Sequence, residues 1–210
     1  MVGHKIIVFD QDGVLLDSYQ YVYRYFSEHY QNFSPELFQK QSAGLSADQL
    51  GLELVERTDE DQAARWEHYV TKEKIQAKLF PGIKELITKL SNEYKLVMNT
   101  SARLSSSVPM LKSNEIYNHF DFLATKDIST DKVKKFQLIA DKYDCDTTEL
   151  LFITDTLGDV LAAEKVSVPT IGVTWGFMGR VGLESYKGNS LFKIVDNINE
   201  LENTISNFYE

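Results

Sequence analysis

Short runs of apolar residues recur along the chain, and each run ends at polar or small residues. The runs are rich in β-branched and aromatic side chains and almost free of charge, which is typical of strands buried on both faces of a parallel sheet. They lie at residues 6–9, 96–98, 120–124, 150–153 and 170–173. We therefore expect a parallel sheet built from these segments.

Helical periodicity fills the gaps between the later runs. One helical face is predicted for Ile83, Leu86, Ile87 and Leu90. A second face is shared by another set of residues: Val133, Phe136, Ile139, Ala140 and Tyr143. Alternating strands and helices imply right-handed crossovers with helices on both faces of the sheet, which is a doubly wound α/β fold.

The segment from residue 17 to residue 79 breaks this alternation, since it holds no convincing strand. Its apolar and capping patterns predict helices through three sets of residues: Val22, Tyr25, Phe26 and Tyr30; Leu50, Leu54 and Val55; and the capping pair Thr58 and Asp61, leading into Trp66, Tyr69 and Val70. An insert of this length is too long for a crossover. We predict an all-helical cap domain at 17–79 and an α/β core domain at 1–16 and 80–210.

Composition and charge narrow the class of protein. The 210 residues suffice for one core domain and a small accessory domain, and 22 Lys and Arg against 31 Asp and Glu give a formal charge of −9. Such a chain is a poor match for nucleic acid or an anionic membrane. Cys145 cannot form an internal disulfide, and the first apolar run is too short for a signal peptide. We expect a cytoplasmic monomer or homodimer without nucleic-acid or membrane partners.

Chemically active side chains follow the expected strands at their carboxyl ends, where open parallel sheets bind ligands. They are Asp10, Asp12 and Gly13 after the first run, Thr100, Ser101 and Arg103 after the second, Lys132 at the next helix start, and Asp155 and Asp159 after the fourth run. Carboxylates, a hydroxyl and an ammonium together suit a hard divalent cation and a phosphoryl group. One carboxylate can attack phosphorus while another protonates the leaving oxygen.

The motifs as they stand resemble a known superfamily. Residues 10–18, reading DQDGVLLDS, resemble the first motif of the haloacid dehalogenase (HAD) superfamily. Thr100 resembles its second motif, Lys132 its third-motif lysine, and residues 154–159 its acidic fourth motif. Residues 79–86 resemble the return to the core in members with a helical cap. Phosphoglycolate-phosphatase-like and β-phosphoglucomutase-like members are the most similar in pattern.

This resemblance implies a HAD-like Rossmannoid core and a Mg²⁺-dependent phosphatase that hydrolyses a small phosphorylated metabolite through an aspartyl phosphate. By that resemblance, Asp10 attacks phosphorus and binds Mg²⁺. Asp12 is the general acid and base, and its backbone carbonyl also binds the metal. Thr100 and Lys132 hold the phosphoryl oxygens.

The resemblance implies further site residues. Asp155 is expected to bind the metal, and Asp159 to act through a water or by orienting Lys132. The expected substrate or phosphate contacts come from the core and from the first helix of the insert: Gly13, Ser101, Arg103, Tyr21 and Arg24. Which metabolite is the substrate is left open, because specificity would lie in the insert.

Several positions depart from the superfamily pattern. A Lys-Pro pair is common in the third motif, and no proline stands near Lys132. Lys134 and Lys135 therefore remain alternative candidates for the third-motif lysine. Thr154 stands where Gly or Glu is frequent, which removes one acidic metal ligand. A further set of glycines after the last run has the wrong spacing for a dinucleotide loop and is interpreted as a flexible loop: Gly176, Gly179 and Gly182.

Alternative functions share the same residues. A phosphomutase differs only in passing the phosphoryl group to a sugar rather than to water. A phosphonate hydrolase would need a Schiff-base lysine in the insert, and nothing in the sequence distinguishes the lysines there: Lys40, Lys72, Lys74 and Lys78. A non-catalytic phosphometabolite-binding or regulatory protein is the alternative from another class, and it has no need for the acid at Asp12.

Overall fold

The computed structural model describes residues 5–55 and 62–209, without the side chain of residue 63. The expected capping pair of Thr58 and Asp61 lies outside the described residues. We call residues 17–79 the cap segment.

Parallel strands form one sheet in the described part of the chain. The strands are β1 (Ile6–Phe9), β2 (Lys95–Asn99), β3 (Phe122–Ala124), β4 (Leu150–Thr154), β5 (Thr170–Val173) and β6 (Leu191–Val195). They lie in the order β3-β2-β1-β4-β5-β6, and every neighbouring pair is parallel. β1 is therefore central, with β2 on one side and β4 on the other, which brings the ends of these three strands together.

The helices fall before and between the later strands. The cap segment contains α1 (Tyr19–His29), α2 (Pro35–Ser42), α3 (Gln62–Lys72) and a single helical turn, Lys74–Gln76. The other helices are α4 (Ile83–Leu90), α5 (Leu104–Ser113), α6 (Lys132–Tyr143), α7 (Leu157–Glu164), α8 (Gly179–Glu184) and α9 (Ile198–Tyr209). Single helical turns also occur at Tyr117–His119 and Thr147–Glu149.

Helices cover both faces of the sheet, which confirms the doubly wound α/β fold. Alternate β1 residues Ile7 and Phe9 point into a core that includes residues of α4 and α9. Ile6 and Val8 point to the opposite face, where α6 supplies Phe136. Because both faces are buried, the strands read as unbroken apolar runs in the sequence.

The helix predicted from Leu50, Leu54 and Val55 is wrong. Residues 44–55 form turns and irregular backbone, and Leu54 pairs with Tyr30 in an isolated antiparallel bridge. Gly44 and Gly51 adopt φ values of +98° and +62°, in a region that a right-handed helix does not use. The prediction used apolar spacing alone and ignored these two glycines.

Helices α2, α8 and α9 and strand β6 have no counterpart among the elements predicted from the sequence. Helix α2 begins at Pro35, where the Ser34 hydroxyl accepts a hydrogen bond from the N–H of Leu37 at 3.3 Å. This is an ordinary N-cap that the sequence displays. Strand β6 lies at the sheet edge and exposes Phe192 and Lys193, so it lacks the continuous apolar run of the inner strands.

The core packing predicts a stability difference between neighbouring residues of α6. Ile139 is fully buried, whereas Leu138 is 38% exposed on the same helix. Ile139→Ala should lower the free energy of unfolding by about 2–5 kcal/mol because it leaves a cavity, and Leu138→Ala should change it by less than about 1 kcal/mol. Urea unfolding of both variants measures the difference, and equal losses would contradict this packing.

Candidate active site

Three strand ends bring the expected catalytic residues together. Asp10 follows β1, Thr100 follows β2 and Asp155 follows β4. The backbone N–H of Asp10 donates to the Ile153 carbonyl at 3.0 Å, which extends the β1–β4 ladder to the site. All three residues are at most 8% exposed. The site is therefore fixed by the sheet itself.

Lys132 pairs with two carboxylates at the centre of the site. Its ammonium lies 3.0 Å from Asp10 Oδ1 and 2.5 Å from Asp159 Oδ2. Burial opposes the charged form of Lys132, but the carboxylates of Asp10 and Asp159 outweigh it and raise the lysine pKa. Asp159 also accepts a hydrogen bond from the Thr154 hydroxyl at 3.0 Å. Asp159 thus orients Lys132, and Thr154 orients Asp159.

The other two lysines of α6 lie elsewhere. Lys134 is exposed, while Lys135 is fully buried and donates to the Thr100 carbonyl at 2.6 Å. Burial lowers the pKa of Lys135 to about 8. Among the three candidates, Lys132 is the lysine that contacts Asp10. Lys135 instead holds the backbone carbonyl of Thr100 through its hydrogen bond.

Thr100 keeps its hydroxyl at the cavity surface. Its Oγ1 accepts a hydrogen bond from the N–H of Ala102 at 3.1 Å, and it lines the cavity together with Ser101. Helix α5 starts later, with Arg103 at its N-cap position. Thr100 therefore does not cap that helix, and its O–H can still donate to a ligand.

Asp12 is held by a lysine of the cap segment. The chain turns sharply after Asp10, because the N–H groups of Leu15 and Leu16 both donate to the Gln11 carbonyl. Asp12 Oδ2 then receives Lys74 Nζ at 2.6 Å. Lys74 follows α3 and its side chain is only 2% exposed. This contact spans 62 positions of sequence.

Asp155 carries a buried carboxylate oxygen without a described partner. Its Oδ2 accepts the N–H of Phe177 at 2.6 Å, whereas Oδ1 has no hydrogen-bond partner in the described residues. Burial raises the pKa of Asp155 well above its usual range, and the nearby Asp10 adds to this shift. Burial also raises the pKa of Asp10, an effect that Lys132 opposes. A bound cation would favour both carboxylates in their ionised form.

These residues fit a hard cation, although the set of side chains is small. No group of three His, Cys, Asp or Glu side chains in the described ranges is arranged to hold a metal. The fitting side chains are the two neighbouring buried carboxylates of Asp10 and Asp155, to which the superfamily resemblance adds the backbone carbonyl of Asp12. Oxygen ligands of this kind suit Mg²⁺, which retains several waters in protein sites.

Two glycines make room for Asp155. A Cβ on Gly13 would lie 2.1 Å from Asp155 Oδ2, and a Cβ on Gly176 would lie 2.3 Å from the same oxygen. Gly176 belongs to the loop after β5, whereas Gly179 and Gly182 lie in α8, so the flexible loop predicted for these three glycines is wrong beyond residue 178. That loop instead contacts the cap segment, because Gln39 Nε2 donates to the Phe177 carbonyl at 2.8 Å.

A cavity of about 670 Å³ lies above the carboxylates, between the core and the cap segment. Arg103 lines this cavity, but its guanidinium is paired with Glu67 of α3 at 2.9 Å and with Asp127 at 3.1 Å. The backbones of the core and the cap segment also approach each other closely here. A Cβ atom added to Gly158 would lie only 3.1 Å from the backbone nitrogen of Gly44.

The structure does not bring every expected residue to this cavity. Arg24 points away, with 46% of its side chain exposed, and pairs with Glu73. Tyr21 packs beside the apolar cluster that includes Leu16 and Val70 and is not part of the cavity lining. The sequence does not predict the contact of Glu67 with Arg103, and it does not distinguish Lys74 from the other lysines of the cap segment. No local pattern marks either residue.

Comparison with known proteins establishes the family. Residues 7–173 match the family model described as haloacid dehalogenase-like hydrolase. The chain therefore belongs to the haloacid dehalogenase-like hydrolase family, and the expected superfamily and enzyme class are confirmed.

Individual relatives are distant. The chain is 23% identical over 187 residues to the probable phosphatase IndB of Dickeya dadantii (strain 3937), covering 81% of each chain. It is 26% identical over 117 residues to phosphoglycolate phosphatase of Yersinia pseudotuberculosis, covering 53% of this chain and 50% of that protein.

Solved structures share the fold. A predicted phosphatase from Clostridium acetobutylicum matches with a TM-score of 0.76 at 20% identity, covering 98% of this chain and 99% of that one. CbbY from Rhodobacter sphaeroides, in complex with phosphate, matches with a TM-score of 0.74 at 17% identity, covering 94% and 96%. Within the described residues, no helix combines the length and apolar character needed to cross a bilayer.

The crowding around Asp155 predicts unequal effects of two glycine substitutions. Gly13 and Gly51 both have positive φ, of +75° and +62°, but a Cβ on Gly51 would meet nothing within 4 Å. Gly51→Ala should lower the free energy of unfolding by about 1–2 kcal/mol, through backbone strain alone. Gly13→Ala should lower it by about 1–3 kcal/mol more, because Asp155 must also move. Urea unfolding of both variants measures this difference. Equal losses of unfolding free energy would show that Gly13 does not make room for Asp155.

Proposed function

We propose that this chain is a Mg²⁺-dependent phosphatase that hydrolyses a small phosphorylated metabolite through a phosphorylated Asp10. The observation that carries the proposal is the contact of Lys132 with both Asp10 and Asp159, beside Asp12 and Thr100. Phosphoryl transfer requires a nucleophile, an acid and hydrogen-bond donors to the phosphate oxygens, and this cavity floor brings all of them together.

In the first step, an Asp10 carboxylate oxygen attacks the phosphorus of the substrate, and the bond from phosphorus to the leaving oxygen breaks. Asp12 gives its proton to that leaving oxygen. The Lys132 ammonium and the Thr100 hydroxyl hold the phosphoryl oxygens, on which negative charge is spread during transfer. The products of this step are a free alcohol and phosphorylated Asp10.

In the second step, water attacks the phosphorus of the phosphorylated Asp10. Asp12, now deprotonated, accepts a proton from that water, and the bond from phosphorus to the Asp10 oxygen breaks. Inorganic phosphate leaves and the carboxylate of Asp10 is restored. One residue acts as acid and then as base, so the cycle closes without a further proton donor.

Mg²⁺ would be held by the carboxylates of Asp10 and Asp155 and by the Asp12 carbonyl. When bound, it supplies positive charge that reduces repulsion between an anionic nucleophile and an anionic substrate. The partnerless Oδ1 of Asp155 supports this assignment. Asp159 contributes by orienting Lys132, since its Oδ2 accepts hydrogen bonds from both Lys132 and Thr154.

The cap segment completes the proposed site. We assign residues 17–79 to a cap domain and residues 1–16 and 80–210 to the core domain. The contacts of Lys74 with Asp12, Glu67 with Arg103, and Gln39 with Phe177 all join these two parts across the cavity. A closed cap would exclude water during attack on Asp10 and would select the leaving group.

The relatives support hydrolysis as the reaction, since both described above are named as phosphatases. The phosphomutase alternative predicts transfer to a second sugar hydroxyl instead of release of phosphate. Assaying inorganic phosphate and isomerised sugar phosphate in the same reaction separates the two.

Removal of the nucleophile should abolish turnover. Asp10→Asn should reduce phosphate release from p-nitrophenyl phosphate with Mg²⁺ by at least about a thousandfold, because an amide cannot form the phosphorylated intermediate. Steady-state phosphate release, with circular dichroism as the folding control, measures this. Full activity of the variant would sink the mechanism.

Lys74 should matter most for poor leaving groups. Lys74→Met frees Asp12 to move, so hydrolysis of an alkyl phosphate should slow by about tenfold, whereas p-nitrophenyl phosphate, which needs little protonation, should stay within about twofold. The exposed Lys72, changed to Met, is the matched control from the same segment. An equal slowing of both substrates by Lys74→Met would show that the lysine does not act through Asp12.

A further inference from the structure

The cap side of the cavity is a wall of aromatic rings. Phe26, Phe38 and Trp66 of the cap segment line it together with Phe177 of the loop after β5. The rings of Phe38 and Phe177 lie 5.4 Å apart, and those of Phe26 and Trp66 lie 6.1 Å apart. Val22 and Val70 complete the apolar lining. A leaving group that departs from Asp12 toward the cap segment would therefore meet these rings beside the paired side chains of Lys74 and Glu67.

The wall begins next to the proposed acid. Lys74 Nζ lies 2.6 Å from Asp12 Oδ2 and 5.9 Å from the centre of the Trp66 ring. The first atoms beyond the leaving oxygen would therefore come close to the Lys74 ammonium and to the Trp66 ring beside it. Aromatic rings favour stacked and edge-to-face partners at this kind of separation.

Most cations that line the cavity are already paired. Lys132 is bound by Asp10 and Asp159, Lys74 by Asp12, and Arg103 by Glu67 and Asp127. Lys126 lines the core side and has no ion pair within the described ranges. A second anionic group on the substrate would find Lys126 as the one lining cation without an ion pair in the described residues, and it would gain nothing from the aromatic rings of the cap side. Those rings, rather than the cations, favour an uncharged leaving group.

Gln41 adds a polar contact to the apolar wall. It lines the cavity, and its buried Oε1 has no hydrogen-bond partner in the part of the chain that the structure describes. A buried amide oxygen left unpaired is unfavourable, so a ligand N–H or O–H that donates to it would be bound preferentially.

We propose that the substrate is a phosphomonoester whose uncharged leaving group carries an aromatic ring with a hydrogen-bond donor, and that Phe26 is a specificity-determining residue for that ring. This rests on the phosphatase function proposed above. The ring would pack against Phe26 and Trp66, and its donor would face Gln41. The cavity of about 670 Å³ lies within the usual range of small-molecule sites.

The test compares three substrates: uridine 5′-monophosphate, ribose 5-phosphate and phosphoglycolate. The first two share a phosphorylated ribose, and only the first carries a ring with an N–H donor. The third has an anionic leaving group of small size. We expect kcat/KM to be about tenfold higher or more for uridine 5′-monophosphate than for either of the others.

Two matched phenylalanine substitutions test the role of the wall. Phe26 and Phe33 are both half-buried with their rings stacked at 5.4 Å, but Phe33 packs outside the cavity lining. Phe26→Leu should lower kcat/KM for uridine 5′-monophosphate by at least about fivefold more than it lowers kcat/KM for ribose 5-phosphate. Phe33→Leu should leave the ratio of the two substrates unchanged. Circular dichroism of both variants serves as the folding check.

The possible failures are distinguishable. A preference for phosphoglycolate or ribose 5-phosphate, or an equal effect of Phe26→Leu on both ribose substrates, overturns the aromatic leaving group while the phosphatase function stands. Absence of phosphate release from all three substrates and from p-nitrophenyl phosphate overturns the phosphatase function and this proposal with it.

Discussion

The burial of several carboxylates beside one another is the constraint on which the rest of the site depends. Asp10 and Asp155 end adjacent strands and are almost fully removed from water, so their negative charges must be compensated nearby. Lys132 provides one compensating charge and is held between Asp10 and Asp159. The partnerless oxygen of Asp155 leaves a place for a second positive charge. We infer that this uncompensated negative charge favours the binding of a cation, while the Lys132 ammonium favours the phosphoryl group.

The sequence predicted the inner strands well because a strand buried on both faces must be apolar at every position. It did not predict β6, whose edge position leaves Phe192 and Lys193 exposed. It placed a helix through Leu50 and Leu54, where glycines with positive φ produce turns. Apolar spacing thus served for elements that pack against the sheet and failed where backbone conformation, rather than burial, decides the structure.

The site shows the same division between local and long-range information. Asp10 and Asp155 follow recognisable strands, so the motif spacing was enough to expect them at one edge. The choice of Lys132 over Lys134 and Lys135 needed the direction of each side chain on α6, which spacing alone does not give. Lys74 could not have been chosen, because its partner Asp12 is 62 positions away and no local pattern links the two. Contacts from the cap segment to the core are tertiary, so no local sequence pattern predicts them.

The central claim is that phosphate passes through Asp10. Acid-quenching the protein during turnover of p-nitrophenyl phosphate with Mg²⁺, followed by mass spectrometry of its peptides, tests this directly. We predict one added phosphoryl group on the peptide that contains Asp10, removable by hydroxylamine, and a higher yield of it in Asp12→Asn, where water is no longer activated. Continued release of phosphate with Asp10 unmodified in both proteins would contradict the account.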